Sequence, residues 1–364
     1  MPDTAHRIVA ADSADLSFAA DGSAALVVTS PPYPMIGMWD GHFRARDPAI
    51  GRALDADDGG EAFELMHRDL DRVWAEAHRL LCDGGIACIN VGDAVRTLGD
   101  RFELYPNHAR ILESCRRLGF TALPAVLWRK TTNAPNKFMG SGMLPAGAYV
   151  TLEHEHILVL RKNGRRRFVT PAAKARRRES AYFWEERNAW FSDVWELTGA
   201  RQALADAGAR QRSAAFPFEI AWRLILMHSV RGDTVLDPFL GTGTTTLAAM
   251  AAGRNSIGVE MDPALAAAAR DAAAGLKEEA NALVRARFAA HERFAAERER
   301  DGRPLGHVNR RHGFPVMTAQ EEDLLLELVD RLEAGPDGRF ALSYRTADAP
   351  SRAGTRRSPA APGA

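Results

Sequence analysis

Four consecutive residues, Ser30-Pro31-Pro32-Tyr33, have the groups needed to hold a planar ligand that carries an exocyclic amine. The serine hydroxyl and the Pro31 carbonyl can accept hydrogen bonds from the amine, and the tyrosine offers an aromatic face. The apolar run 24–29 before them predicts a buried strand of a parallel sheet. Two prolines cannot continue a strand ladder, so the motif is expected at the carboxyl end of that strand, where open α/β sheets bind ligands. Alone, the four residues are equally compatible with a surface turn.

A second motif, much later in the chain, favours the ligand-binding alternative. The apolar run 234–236 ends in Asp237 and continues as Pro238-Phe239-Leu240-Gly241-Thr242-Gly243-Thr244, followed by a predicted helix. The two glycines allow a ligand to approach the backbone closely. We therefore expect a strand, a glycine loop and a helix that together hold a ligand at the same edge of the sheet.

The residues around this glycine loop narrow the class of ligand. A dinucleotide fingerprint requires a third glycine where Thr246 stands, and no Gly-Lys-Ser/Thr triplet follows, which excludes a P-loop. The next predicted strand ends in Glu260, an acid placed to hold both hydroxyls of a ribose. Asp237 would repel a pyrophosphate but suits a cationic or zwitterionic nucleoside, which indicates S-adenosylmethionine. A βαβ glycine turn without a ligand is the alternative.

Together these motifs resemble those of the exocyclic amino-methyltransferases of DNA, which belong to restriction–modification systems. Residues 30–33 match the catalytic motif of that family, and residues 237–244 match its cofactor loop. The catalytic motif comes first here, an order similar to that of the β group; RNA and protein methylases with a related Asn-Pro-Pro-Tyr motif usually have the reverse order. Shorter stretches at 80–85, 92–93, 155–160 and 216–217 also fit, and the resemblance covers about residues 5 to 270.

The resemblance implies a role for each matching residue. Ser30, Pro31, Pro32 and Tyr33 would be catalytic, with Tyr33 stacked on a base flipped out of the duplex. The implied cofactor-binding residues are Asp12 at the adenine amine, Phe216 and Pro217 at the methionine pocket, Asp237, Phe239, Gly241, Thr242, Gly243 and Thr244 around the methionine end, and Glu260 at the ribose.

The same resemblance indicates which base is methylated. Cytosine-N4 members of the family usually carry serine at the first position of the catalytic motif, whereas adenine-N6 members usually carry aspartate. Ser30 therefore favours methyl transfer from S-adenosylmethionine to the N4 amine of a flipped cytosine in DNA. Adenine-N6 methylation is the alternative, and a catalytically silent DNA-binding module is a more remote one.

A basic segment follows the predicted strand at 155–160. Residues 161–178 include nine basic residues and no acid, and an aromatic cluster comes after them. In the resembling family the interval 161–213 holds the target-recognition region. We predict phosphate contacts from Arg165, Arg166, Arg167, Lys174, Arg176, Arg177 and Arg178. A solvated face is the alternative, and because the interval is short, the segment 37–60 or the carboxyl-terminal tail would share the recognition role.

Length and pattern predict the organisation of the chain. With 364 residues, 46% of them apolar, the chain can form one large α/β domain with appendages. Alternating strand and helix signals predict a doubly wound, mostly parallel Rossmann-like methyltransferase sheet, with circularly permuted motif order and a small DNA-recognition insertion. We assign 1–280 to the methyltransferase domain with 161–213 as the insertion, 281–349 to a helical extension and 350–364 to a disordered tail. The segment 37–60 is predicted to be a long loop.

Other features of the sequence limit the possible partners and the cellular location of the protein. Three cysteines without paired spacing, and no apolar run long enough for a signal peptide or a membrane span, predict a cytoplasmic protein. His154 and His156 share a strand face, but no third ligand is evident, so no metal site is expected. We expect double-stranded DNA as the partner, no membrane, a monomer or homodimer, and association with a bacterial or archaeal nucleoid. The resemblance also allows a cognate restriction endonuclease that acts separately.

Overall fold

The computed structural model describes residues 3–131, 138–141, 143–198 and 216–348. The strands are β1 (Thr4–Ala10), β2 (Ala24–Thr29), β3 (Leu81–Val91), β4 (Ala94–Leu98), β5 (Arg101–Tyr105), β6 (Phe120–Thr131), β7 (Phe138–Gly140), β8 (Ala148–Val150), β9 (His154–Lys162), β10 (Val194–Thr198), β11 (Thr234–Asp237), β12 (Asn255–Glu260), β13 (His307–Val308), β14 (Pro315–Val316), β15 (Glu327–Ala334) and β16 (Arg339–Thr346).

The helices lie in the segments that connect strands. They are α1 (Asp40–Arg46), α2 (Pro48–Asp55), α3 (Gly59–Leu80), α4 (Asn107–Arg117), α5 (Pro171–Glu179), α6 (Trp184–Trp190), α7 (Phe218–His228), α8 (Thr244–Ala251), α9 (Pro263–Gly275) and α10 (Lys277–Arg300). Among the described residues, none of these helices is both long enough and apolar enough to cross a membrane.

A ten-stranded sheet forms the centre of the molecule. Its strand order is β10-β6-β9-β3-β2-β11-β12-β1-β16-β15. Only β9 and β16 run against the direction of the other strands of this sheet in the described chain. The prediction of a mostly parallel sheet is therefore confirmed.

Helices cover both faces of the sheet. The side chains of β2, which point alternately to the two faces, contact a different core cluster on each face. Val27 lies in one core cluster with Trp74 of α3. Leu26 and Val28 point to the other face and share a cluster with Ile220 of α7. Each face buries a continuous apolar layer, so β2 is apolar throughout instead of alternating, as expected for a central parallel strand.

The direction of β9 decides where the basic segment begins. Parallel strands β2, β11 and β12 end at one edge of the sheet, here called the carboxyl edge; the opposite edge is called the amino edge. Val91 at the end of β3 pairs with His156, whereas Ile86 in the middle of β3 pairs with Arg161, close to the end of β9. Because β9 is antiparallel to β3, the chain leaves β9 at the amino edge.

The segment 37–60 forms helices, so the prediction of a long loop is wrong. Phe43 of α1 and Ile50 of α2 are fully buried. Asp47 caps α2 by accepting the Ala49 N–H at 2.8 Å, and Pro48 occupies its first turn, both common helix-start signals. The glycines and charges of the segment suggested a loop. Its apolar residues, however, have a spacing that lets two short helices bury them in the core.

The carboxyl-terminal extension is only partly helical, which corrects the prediction for 281–349. Helix α10 ends at Arg300, and β15 and β16 follow as an antiparallel pair. In β16, buried Phe340 and Leu342 alternate with more exposed positions, the pattern of a strand with one buried face. This strand pairs with β1 and extends the sheet. The predicted tail 350–364 and residues 199–213 of the predicted insertion lie outside the described residues.

Candidate active site

A cavity of about 570 Å³ lies at the carboxyl edge and brings the two sequence motifs together. The ends of β1, β2, β11 and β12 all reach it, because adjacent parallel strands end side by side. The predicted site residues that line it are Asp12, Ser30, Pro31, Pro32, Phe216, Asp237, Phe239, Gly241, Thr244 and Glu260. Four predicted residues do not line it: Tyr33, Pro217, Thr242 and Gly243.

Asp237 sits at the tip of β11 with only 3% of its surface exposed. Its carboxylate accepts a hydrogen bond from the Thr29 hydroxyl at 2.6 Å and one from the Phe239 N–H at 3.1 Å. Burial raises the pKa of Asp237 to about 6, although hydrogen bonds from Thr29, Thr245 and Phe239 act in the opposite direction. The cavity wall therefore holds a carboxylate whose charge is favoured by a nearby cation.

Glu260, at the tip of β12, fixes the glycine loop as well as lining the cavity. Its Oε2 accepts the Gly241 N–H at 2.8 Å, and its Oε1 accepts the Asp262 N–H at 2.8 Å. Burial raises the pKa of Glu260, while these two backbone hydrogen bonds lower it. Each carboxylate oxygen keeps a second lone pair, which leaves acceptors for a diol.

Asp12 lines the cavity, but it also has a partner that the sequence did not reveal. Its carboxylate pairs with Arg46 of α1, with Nη1 and Oδ2 3.1 Å apart. Burial raises the pKa of Asp12, but the Ala14 N–H and Arg46 outweigh that effect and leave the pKa lowered. Arg46 in turn pairs with Asp69 of α3. An adenine amine would therefore share the Asp12 carboxylate with Arg46.

Helix α1 and the turn before it form a wall of the cavity that sequence reasoning missed. Met38, Trp39, His42 and Arg46 all line the cavity. Two features of the sequence could have predicted these helices: the helical spacing of the residues after Trp39, and the Asp47-Pro48 pair, which is typical of a helix start. The predicted loop is thus part of the ligand-binding wall.

Gly243 is required by packing and by backbone conformation. Its φ of 93° lies in the left-handed region, and a Cβ there would lie 3.1 Å from the Cβ of Ala269 in α9. Gly243 caps the start of α8, and Pro217 caps the start of α7. Both positions shape the elements that carry the cavity, which explains why neither lines it.

Tyr33 is not among the residues that line the cavity, and its stacking on a flipped base stays a prediction. It is 4% exposed, and its hydroxyl bonds to Glu155, Asn90 and Ser30. The segment after it is fixed by Asn107, whose amide donates to the carbonyls of Pro34 and Gly92 at 3.1 and 3.0 Å. Hydrogen bonds from buried residues outside the Ser-Pro-Pro-Tyr motif therefore fix its position.

The basic segment begins at the amino edge, and its predicted phosphate contacts stay a prediction. The backbone at Arg166 passes directly over Gly84, close to the start of β3. The Arg166 guanidinium forms a two-pronged pair with Asp233, which precedes β11; Nη2 and Oδ1 are 2.6 Å apart. The six other predicted contacts, Arg165, Arg167, Lys174, Arg176, Arg177 and Arg178, are not buried. The chain reaches them after it leaves β9 at the amino edge, whereas Ser30 lies at the carboxyl edge.

One group of possible metal ligands occurs among the described residues: Asp93, His108 and His156. The sequence suggested His156 but not its neighbours, which come from the end of β3 and from α4. His108 Nδ1 lies 2.8 Å from Asp93, and the rings of His108 and His156 stack with centroids 3.8 Å apart. Hydrogen bonding and stacking account for this cluster without an ion.

The cavity fits S-adenosylmethionine by its chemistry. Asp12, Asp237 and Glu260 supply carboxylates, which suit a sulfonium, an ammonium and a ribose diol. Phe216 and Phe239 also line the cavity and would offer apolar surface to the purine and the methionine chain.

Comparison with known proteins agrees with this chemistry. A family model described as DNA methylase, of the N6 and N4 type, matches residues 24–271. The type II methyltransferase M.MthZI of Methanothermobacter thermautotrophicus is 49% identical over 325 residues, covering 89% of this chain and 90% of the relative. The type II methyltransferase M.MjaI of Methanocaldococcus jannaschii is 46% identical over 273 residues, covering 72% and 89%, respectively.

Solved structures show the same architecture. A candidate DNA modification methylase of Thermus thermophilus, in complex with S-adenosyl-L-methionine, is 34% identical with a TM-score of 0.56, covering 73% of this chain and 92% of that chain. The PvuII DNA methyltransferase (cytosine-N4-specific) is 16% identical with a TM-score of 0.51, covering 74% and 87%. The second similarity concerns the fold alone.

Proposed function

This chain belongs to the N6/N4 family of DNA methylases and is an S-adenosylmethionine-dependent DNA methyltransferase, and we propose that it methylates the N4 amine of cytosine. The observation that carries the proposal is the placement of Ser30 on the wall of the cavity that the glycine loop also lines. Serine at this position is usual in the cytosine-N4 members of the family, whereas aspartate is usual in the adenine-N6 members.

The residues at the tip of β2 can activate an amine without a strong base. An exocyclic amine is a poor nucleophile because its lone pair is delocalised into the base. Hydrogen bonds from the amine to the Ser30 hydroxyl oxygen and the Pro31 carbonyl would favour a pyramidal nitrogen with a free lone pair. Bound S-adenosylmethionine supplies a methyl group on a cationic sulfur. Holding both reactants in line contributes about 7–11 kcal/mol relative to free encounter.

DNA must approach the carboxyl edge, because the target amine has to reach Ser30. Two hairpins flank that edge: β4–β5 directly follows β3, and β7–β8 lies between the end of β6 and the start of β9. Phe102 and Tyr149 stack across them with centroids 4.6 Å apart. We define the hairpin surface as Phe102, Leu104, Leu144, Tyr149 and Val150, all of which are exposed large hydrophobic residues.

The hairpin surface suits contact with a duplex from which one base has been extruded. Apolar and aromatic side chains can fill the space that a flipped base leaves, or wedge between base steps. In this proposal the hairpin surface, and not the basic segment, is the part of the molecule that faces the DNA. A cognate restriction endonuclease that acts separately and a nucleoid location stay predictions, as do the permuted motif order and the domain boundaries.

The direct test is mapping of modified bases in DNA from cells that express this chain. We expect N4-methylcytosine in one sequence context and a smaller methylated fraction of the same sites in cells that express Ser30→Ala. N6-methyladenine instead would establish the alternative chemistry. Ser30→Asp, the residue usual in adenine enzymes, serves as the matched variant, and we expect it to retain partial activity with some gain on adenine in mispaired substrates.

A further inference from the structure

A closed hydrogen-bond network connects Ser30 to three residues outside the Ser-Pro-Pro-Tyr motif. The Tyr33 hydroxyl lies 2.9 Å from the Ser30 hydroxyl and donates to Glu155 Oε2 at 2.9 Å. The Asn90 amide donates to the Tyr33 oxygen at 3.0 Å and to Glu155 Oε2 at 2.6 Å. Lys130 completes the network by an ion pair with Glu155.

The hydrogen-bonding capacity of each group fixes the direction of these bonds. A carboxylate paired with an ammonium can only accept, so the contact between Tyr33 and Glu155 uses the single tyrosine proton. The Tyr33 oxygen is then left with two lone pairs. One accepts an N–H from Asn90, and the other faces the Ser30 hydroxyl. Because Tyr33 has no second proton, Ser30 must be the donor in the remaining contact.

We infer that Glu155, acting through Tyr33, orients the Ser30 hydroxyl so that its oxygen is a pure acceptor toward the target amine. This inference rests on the proposed function, in which Ser30 accepts a hydrogen bond from that amine. With its proton directed to Tyr33, Ser30 offers both lone pairs to an incoming N–H. We call the hydrogen bonds that run from Glu155 through Tyr33 to Ser30 the relay. Without the relay, the Ser30 hydroxyl would be free to rotate and could donate its proton toward the lone pair of the amine, which would oppose the reaction.

Burial makes the relay directional. Tyr33 is 4% exposed and Glu155 is 7% exposed, so water does not compete freely for their hydrogen bonds. Burial, together with the charge of Glu155, raises the pKa of Tyr33 well above its ordinary value. The phenol therefore keeps the proton that it donates to Glu155 throughout the working pH range. Glu155 and Asn90 are positioning residues, since neither lines the cavity.

The experiment compares two relay variants in two backgrounds. Tyr33→Phe keeps the buried ring and removes the hydroxyl, and Glu155→Gln keeps the shape but can donate to the tyrosine oxygen. Each is made with Ser30 and with Ser30→Ala. Single-turnover transfer of tritium from labelled S-adenosylmethionine to amplified, hence unmethylated, plasmid DNA gives the rate. Tyr105→Phe, which removes the hydroxyl of another buried tyrosine outside the network, is the matched control.

We expect Tyr33→Phe and Glu155→Gln to lower the rate by about tenfold with Ser30 present, the loss expected for a misdirected hydrogen bond. In the Ser30→Ala background the same changes should cost less than about twofold, because no hydroxyl is left to orient. Cofactor affinity should not change in either variant, and Tyr105→Phe should keep the wild-type rate.

Equal losses in both backgrounds would show that the network only supports the fold, and the relay would be overturned. Unchanged rates with Ser30 present would overturn it as well. If Glu155→Gln does not fold, the Tyr33→Phe pair decides alone. A wild-type chain that binds the cofactor but transfers no tritium to DNA would instead remove the proposed function, and the relay with it.

Discussion

The Thr29 hydroxyl and the Asp237 carboxylate form a 2.6 Å hydrogen bond, although 208 residues separate them in sequence. Thr29 directly precedes Ser30, and Asp237 begins the glycine loop. Strands β2 and β11 are parallel neighbours, with Leu26 opposite Val235. One buried contact at the ends of these strands therefore aligns the two halves of the active site, and a shift of register by one residue would break it.

The first prediction concerns the pH dependence of cofactor binding. Burial raises the pKa of Asp237 to about 6, so the carboxylate gains its charge as the pH rises through 6. The sulfonium of S-adenosylmethionine is a cation, and its dissociation constant should therefore increase as the pH falls from about 7.5 to about 5. S-adenosylhomocysteine, which lacks that charge, is the control and should show a weaker dependence. Calorimetric titration of both ligands gives the comparison; equal slopes would mean that Asp237 does not contribute by its charge.

A second prediction uses Thr29→Val, which keeps the side-chain shape and removes the hydrogen bond to Asp237. That bond lowers the pKa of Asp237, so its loss should raise the pKa further. The midpoint of the pH dependence of S-adenosylmethionine binding should then move to higher pH. The protein should also lose about 1–2 kcal/mol in the free energy of unfolding near neutral pH. An unmoved midpoint would show that the Thr29 contact does not affect the cofactor site.

The third prediction separates the two roles of Glu260. Glu260→Ala should weaken S-adenosylmethionine binding by about 1–3 kcal/mol, the range for hydrogen bonds to a charged group. Glu260→Gln keeps one acceptor for the loop N–H groups of Gly241 or Asp262 and should lose less. Calorimetry measures both affinities, and urea denaturation shows whether the fold is intact. Unchanged affinity in a folded Glu260→Ala protein would exclude the ribose role.

A fourth prediction distinguishes Arg166 from its neighbours. The Arg166 side chain is 30% exposed and the side chain of Asp233, its partner, 8% exposed, so removing the guanidinium leaves a poorly solvated carboxylate. Arg166→Ala should lower the free energy of unfolding by about 1–3 kcal/mol. Exposed Arg165 is the matched control, and Arg165→Ala should change stability by less than about 0.5 kcal/mol. Equal effects in chemical denaturation would contradict a structural role that is special to Arg166.

The fifth prediction tests which surface meets DNA. Phe102→Ala combined with Tyr149→Ala should weaken binding to a short duplex that contains the mapped site by about 1–3 kcal/mol per lost aromatic contact. Arg165→Ala combined with Arg167→Ala should leave this affinity unchanged, because both residues lie at the amino edge. Fluorescence anisotropy at two salt concentrations measures both. A large loss only in the arginine variant would return the DNA contact to the basic segment.

The sequence was sufficient for the parts of the site that depend on local chain geometry. A strand that stops at two prolines, and another that stops at an acid and a glycine loop, identify their own carboxyl ends. Parallel pairing then places those ends together, so the amino-acid pattern alone assigns Ser30, Asp237 and Glu260 to one site.

Long-range geometry could not be obtained in this way. A continuous apolar run such as residues 157–160 is the same signal whether the strand runs up or down the sheet, yet the direction of β9 moved the basic segment to the opposite edge. The partners of Tyr33 were hidden for a similar reason. Asn90 and Glu155 belong to two different strands, and only their antiparallel pairing brings them to one phenol.

The neighbours of β1 in the sheet are β12 and β16, which the ribosome synthesises long after β1 itself. During translation both hydrogen-bonding edges of the segment Thr4–Ala10 therefore stay unpaired until residues 255–260, and later residues 339–346, have been synthesised. An unpaired strand edge of this kind can pair with other chains, so aggregation is a hazard for the nascent chain until both partner strands have formed. A chain that stops at Arg300 would lack β16 and would leave the edge of β1 that pairs with it open.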